Sequence, residues 1–90
     1  MMNIYLVTQN ENRDYDTFDS MIVMAKDEAS SRQIHPEETW GNSTSNRAKM
    51  WKSRYSVWAT SPDNVVVELV GQTVADDEVE SVLLASFNAG

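Results

Sequence analysis

The residues best suited to chemistry lie between positions 39 and 60. This stretch contains all three tryptophans of the chain, and it has basic residues but no aspartate or glutamate. Basic side chains neutralise phosphate, and flat aromatic rings stack on nucleobases. We therefore define a basic, aromatic cluster whose predicted ligand-binding residues are Arg47, Lys52, Arg54, Trp51, Tyr55 and Trp58. If residues 47–58 formed one helix, Trp51, Tyr55 and Trp58 would share a stripe on its surface.

Three interpretations of this cluster remain open. It could bind a nucleotide or another anionic, planar ligand. Alternatively, an aromatic stripe at helical spacing is typical of a core, with Lys and Arg as its solvated rim. The third interpretation is a subunit interface, in which the basic cluster of one chain meets the acidic C-terminal third of another. The acidic residues of that third are Asp63, Glu68, Asp76, Asp77, Glu78 and Glu80.

Two further groups could do chemistry, but each has a simpler explanation. Asp14, Asp16 and Asp19 could offer oxygen ligands to a hard cation. However, the glycine and the terminal glutamate of a calcium loop are missing, and aspartates in a solvated loop also cap turns. His35 is the only histidine and has no partner at motif spacing. Because Pro36 follows it, His35 can simply hydrogen-bond the last carbonyls of a helix. We predict neither a metal nor a cofactor.

The composition also argues against an enzyme. The absence of cysteine excludes thiol nucleophiles, thiolate metal sites and disulfides. With only three glycines, Gly41, Gly71 and Gly90, a glycine-rich phosphate loop cannot be built. A nucleophile elbow and a paired-histidine metal motif are also missing.

Length and charge limit the organisation of the chain and its partners. Ninety residues fit one domain, covering residues 1–90. The net charge of −7 argues against direct binding to duplex nucleic acid. No apolar run reaches the length of a membrane span, and the N-terminus does not resemble a signal peptide. We expect a soluble, intracellular protein without a membrane partner. A small domain without disulfides must rest on its core or on a partner subunit, and we expect a homo-oligomer.

The pattern of apolar residues predicts an α+β fold. Alternating or continuous apolar runs predict strands at residues 3–8, 20–25, 65–70 and 81–87, and a short helix at 47–54 followed by a strand at 54–60. Residues 9–19 are predicted to form a polar loop. The order β-β-α-(α)-β-β-β favours a single small domain with a mostly antiparallel sheet of four to five strands and one main helix.

The main helix is predicted to begin at Asp27 or its neighbour and to end near His35. Asp27 places negative charge on the first helical turn, where the helix dipole favours it. Pro36 disfavours helical geometry in the residue before it. We expect Ala29 and Ile34 to face the sheet.

Four segments together resemble a family of short proteins encoded by phages, prophages and bacterial genomes. They are YDTFDS at residues 15–20, IVMAKDEASSRQIHP at 22–36, SPDNVVVELVG at 61–71 and VLLASFNAG at 82–90. The resemblance does not extend to residues 38–56, so it does not support the basic, aromatic cluster. The residues that match the motif positions of the family are Tyr15, Asp16, Thr17, Asp19, Ser20, His35, Pro36, Trp58, Ser86, Phe87 and Asn88.

The resemblance implies a phage accessory protein that acts in the host cytoplasm. Such proteins often bind and neutralise a host component, so the polar motif residues Tyr15, Asp16, Asp19, His35 and Asn88 are further candidates for a binding site. We consider three functions. The protein could be a non-enzymatic anti-defence protein that sequesters a nucleotide-like or other anionic small molecule. It could instead inhibit a host defence or nucleic-acid-binding protein through its acidic surface, or it could be a structural or assembly protein.

Overall fold

A four-stranded antiparallel sheet is the framework of the chain. The computed structural model describes residues 2–11, 17–40, 47–52, 57–73 and 80–88. The strands are β1 (Asn3–Gln9), β2 (Thr17–Ala25), β3 (Val65–Gln72) and β4 (Ser81–Asn88). Their order across the sheet is β3-β1-β2-β4, and each neighbouring pair is antiparallel. The predicted α+β fold with an antiparallel sheet is confirmed, and β1 is central as its apolar residues on both faces indicated.

Two short helices and two 3₁₀ turns complete the described elements. They are α1 (Glu28–Gln33), α2 (Arg47–Trp51) and the turns Pro36–Trp40 and Pro62–Asn64. The start of α1 is confirmed, since the carboxylate of its N-cap, Asp27, accepts a hydrogen bond of 2.7 Å from the amide of Ser30. No helix among the described residues is long and apolar enough to cross a membrane.

The helices cover one face of the sheet, and the core lies between the helices and that face. On β1 the side chains of Tyr5 and Val7 point towards α1 and are buried, as alternation along a strand requires. Ile34 follows α1 and packs into the same core. The guanidinium of Arg32 donates a 2.8 Å hydrogen bond to the carbonyl oxygen of Val65, which ties α1 to the first residue of β3. The core therefore extends from the helix layer across the central strands.

The structure corrects one prediction about the face of α1. Ile34 is buried as expected, but Ala29 is exposed and Ser31 is buried in its place. Since α1 has only six residues, a single turn decides which side chains meet the sheet. The hydroxyl of Ser31 is satisfied inside the helix, because it donates to the carbonyl oxygen of Glu28 at 2.6 Å.

The predicted polar loop at residues 9–19 is shorter than expected. Strand β1 includes Gln9 and strand β2 begins at Thr17. The side-chain amide of Gln9 is buried and donates to the carbonyl oxygen of Phe18 at 3.0 Å, so a polar residue serves the core at this end of the strands. A register shift between Phe18 and Ser20 turns the ring of Phe18 towards the core.

The predicted strand at residues 54–60 is wrong where it can be compared. Residues 57–60 do not belong to the sheet, and the part before them lies outside the described residues. Trp58 and Ala59 are nevertheless buried. The carbonyl oxygen of Val57 accepts a 2.8 Å hydrogen bond from the amide of Phe18. This segment covers the sheet instead of extending it, which explains why its residues are apolar.

Candidate functional site

His35 lies directly after α1, where the chain turns into the 3₁₀ turn Pro36–Trp40. Its side chain is buried, and its Nδ1 atom accepts a 3.2 Å hydrogen bond from the amide of Glu37. The sequence predicted that the ring would bond to the last carbonyl oxygens of the helix, but the bond that forms is the one from the amide of Glu37. Pro36 ends the helix and begins the turn, and the turn brings the amide of Glu37 back to the ring.

Burial determines the charge of this histidine. Removal from water lowers the pKa of His35 to about 4, so the ring is neutral at physiological pH. The ring also meets Trp51 edge to face, with centroids 5.1 Å apart and planes at 89°. The structure thus brings together two residues that the sequence assigned to different candidate sites.

Glu38 joins His35 to the basic, aromatic cluster. Its carboxylate accepts bonds of 2.8 and 3.1 Å from Nε and Nη2 of Arg47, and a bond of 2.8 Å from the backbone amide of His35. A bidentate pair of this kind is among the stronger polar contacts in proteins. The charge of Arg47 is therefore balanced inside the molecule. Sequence reasoning missed Glu38, although it is the last acidic residue before the stretch without acids.

The tryptophans of the cluster do not share a helical stripe. The predicted short helix starting at Arg47 is present, but α2 ends at Trp51, and residues 57 and 58 are not helical, so the arrangement with one helix over 47–58 does not form. Trp58 is fully buried in the main core. Trp51 packs beside that core, and its indole N–H donates a 3.0 Å bond to the carbonyl oxygen of Gln33. These two rings hold α2 and the segment at 57–60 against the sheet.

The other predicted site residues lie in several places. Lys52 follows α2 and is exposed, and Asp19 is exposed at the register shift in β2. Asn88 is the last residue of β4. Four predicted binding residues lie outside the described residues: Tyr15, Asp16, Arg54 and Tyr55.

Two of the sequence motifs that carried the family resemblance meet in the sheet. Thr17 pairs with Asn88 and Phe18 pairs with Phe87, so the first motif lies beside the C-terminal one. The rings of Phe18 and Phe87 are 4.9 Å apart between centroids and are tilted by 51°. These motif residues therefore contribute to the pairing of β2 with β4, whatever else they contact.

The described part of the chain offers few enclosed sites. Within it, no pocket for a small molecule and no group of three or more metal-ligating side chains is found. Comparison of the chain with protein-family models, with curated proteins and with solved structures finds no match.

Proposed function

We propose that this protein is a non-enzymatic phage accessory protein that acts by binding another protein. The observation that supports this most strongly is the exposure of large apolar side chains on β3 and β4, the two edge strands. They are Val66, Leu69, Val70, Leu83, Leu84 and Phe87. An edge strand offers unpaired backbone groups together with such side chains, and this combination favours pairing with another chain.

The partner in this proposal is a host protein with a basic surface. The chain carries a net charge of −7, and Asp63 is exposed in the turn before β3. Complementary charge would guide a basic partner to this side of the molecule. The resemblance to short phage and prophage proteins supports this role, because such proteins often bind and neutralise a host component in the host cytoplasm.

Sequestration of a nucleotide-like ligand is the weaker form of the proposal. Two residues predicted to contact such a ligand have other contacts, since Arg47 is paired with Glu38 and Trp58 lies in the core. Among the described residues of the cluster, Lys52 is exposed and Arg47 and Trp51 are partly exposed, and Arg47 is held by Glu38. The proposal therefore places binding at the edge strands.

A pull-down with purified variants tests this function. Tagged wild-type protein should recover one dominant protein from host lysate and release it at high salt. Leu83→Glu places a charge on β4, where the native side chain is 51% exposed, and should abolish recovery without unfolding the domain. Ala29→Glu is the matched control, because Ala29 is exposed on α1 in the opposite layer.

Two results would count against the proposal. If the wild type recovers no specific protein, or if Leu83→Glu and Ala29→Glu recover it equally well, the edge strands are not the binding surface. Heat denaturation of the purified protein followed by mass spectrometry of the supernatant tests the ligand form directly. A stoichiometric nucleotide in that supernatant would favour sequestration over protein binding.

A further inference from the structure

The sheet has a second apolar face, turned away from the helices. The strand register places Leu6, Ile22 and Leu84 in one row across β1, β2 and β4, with Glu68 at the β3 end of the row. Val66 lies in the neighbouring row. The full set of residues that the register places on this side is Ile4, Leu6, Thr8, Ser20, Ile22, Met24, Val66, Glu68, Gly71, Ser81, Leu84 and Ser86. We call this surface the open face.

The two faces of the sheet differ in exposure. Core residues on the helix side, such as Val7 and Val23, are fully buried. On the open face Met24 is buried and Leu6 and Ile22 are partly exposed, whereas Val66 and Leu84 are 63% and 67% exposed. None of the residues of the open face belongs to the main core cluster of the described residues. The sheet is therefore apolar on both sides, and apart from Met24 the apolar side chains of the open face are at least partly exposed.

We propose that a second copy of this chain covers the open face, so that two sheets pack face to face in a symmetric dimer. A sheet with two apolar faces is stable when a layer lies on each. A row of aliphatic side chains is complementary to itself, and a two-fold axis brings the same patch of both copies together. The inference deepens the proposed function by assigning Val66 and Leu84 to the contact between copies, which leaves the other exposed apolar residues of the edge strands, Leu83 among them, to a host protein.

Charge on the open face is compatible with a second copy. Among the described side chains that the register places there, Glu68 is the only charged one. The net charge of −7 per chain opposes association, but most of it lies outside the contact. The dimer is thus held by apolar burial against general repulsion, and salt should strengthen it.

The size of the open face fits a dimer of moderate affinity. Four strands about 4.8 Å apart and about seven residues long give a surface of roughly 19 by 23 Å, or about 440 Å² in projection. A standard interface buries about 800 Å² of accessible surface per partner, and the accessible area of projecting side chains exceeds their projected area. Association should therefore be examined between about 1 µM and 1 mM.

The first test is a charge placed in the centre of the contact. The chain mass is 10.2 kDa, and we expect sedimentation equilibrium to give twice that value for the wild type at high concentration. Leu84→Glu should weaken the dimer by at least about 100-fold, because each copy loses a buried leucine and gains a buried charge. Leu69→Glu is the control, since Leu69 is 57% exposed on β3 but pairs with Tyr5, which points to the helix side.

The second test should strengthen the dimer. Glu68→Gln removes the only charge of the open face among the described residues and should tighten association by about tenfold, since each copy then loses one buried carboxylate. Asp63→Asn removes one charge from the exposed turn before β3 and controls for net charge alone. Raising the salt concentration from about 50 to 500 mM should also tighten the wild-type dimer.

Three outcomes would overturn the inference. They are a monomer at every concentration, a dimer that Leu69→Glu breaks while Leu84→Glu does not, and a dimer that Glu68→Gln weakens. The proposed function and the dimer can fail separately, because the pull-down measures the effect of Leu83→Glu and sedimentation measures the effect of Leu84→Glu. A dimer that recovers no host protein contradicts the function alone, and a monomer that recovers one contradicts the dimer alone.

Discussion

Acid should destabilise this protein through its single histidine. Burial lowers the pKa of His35 from 6.5 to about 4. Below pH 6.5 the ring becomes protonated in the unfolded chain, whereas in the folded chain it stays neutral until about pH 4. Between these values the unfolded state binds more protons, so the free energy of unfolding falls as the pH falls. The stabilising effect of the neutral, buried ring is complete above pH 6.5 and is lost by about pH 4.

The size of this effect follows from the difference between the two pKa values. At about 1.4 kcal/mol per unit, the change from 6.5 to about 4 corresponds to about 3 kcal/mol. A small domain has a total stability of about 5–15 kcal/mol, so the loss would be large. The contacts of the ring give a reason for the cost. Its Nδ1 accepts a bond from the amide of Glu37, and a proton on that atom would abolish the acceptor.

The assay is urea unfolding of the wild type and His35→Asn at several pH values between 7.5 and 4.5. Asparagine can still accept the bond from the amide of Glu37, but it does not titrate. Other groups titrate in both proteins and cancel in the difference, including the carboxyl of Glu37, whose pKa is raised by burial. The stability advantage of the wild type should shrink by about 2.5 kcal/mol across this range, since pH 4.5 is still above the folded pKa of His35.

Parallel pH profiles of the two proteins would refute this reasoning. A second measurement applies if His35→Asn does not fold. The chain has one histidine, so its imidazole resonances can be followed without assignment in the native protein. A titration midpoint near 4 is expected, and a midpoint near 6.5 would show that the ring is not desolvated.

Two further variants test the contacts that replaced the predicted ligand cluster. Trp58→Ala should lower the free energy of unfolding by about 3–5 kcal/mol in urea titrations, because Trp58 is a core residue. Unchanged stability would contradict this and would favour the predicted ligand-binding role of Trp58. Glu38→Gln should cost about 2 kcal/mol by the same method, since it leaves Arg47 without its carboxylate. Glu28→Gln is the matched control: its pair with Arg32 is exposed, so its change should stay below about 1 kcal/mol, and equal losses would contradict the assignment.

Local patterns predicted the elements of the fold well. The apolar run of β2 and the alternation along β1 indicated strands, and both are central strands of the sheet. Asp27 and Pro36 mark the two ends of the region that contains α1, because capping and the geometry before proline act within a few residues. These effects can be read from sequence because each depends on neighbours in the chain.

The candidate site was predicted less well because its contacts are remote in sequence. Composition grouped Arg47, Trp51 and Trp58, but composition does not state which partner each side chain meets. In the folded chain Arg47 meets Glu38, Trp51 meets His35, and Trp58 enters the core. Arg47 and Trp58 could otherwise bind a ligand. Glu38 and the sheet belong to the same chain and are held close to these side chains, so the internal contacts form in preference to contacts with a free ligand.

The sequence by itself determined that this is a small, acidic, cysteine-free chain. It correctly predicted four strands and a capped helix, but it also predicted a strand at residues 54–60, of which 57–60 are not in the sheet. Only the tertiary structure decided the strand order β3-β1-β2-β4, which places the exposed leucines and valines on the two edges and leaves one apolar face open. The physical reason is that alternation along a strand states which residues share a face, but packing against the helix layer decides which face is covered.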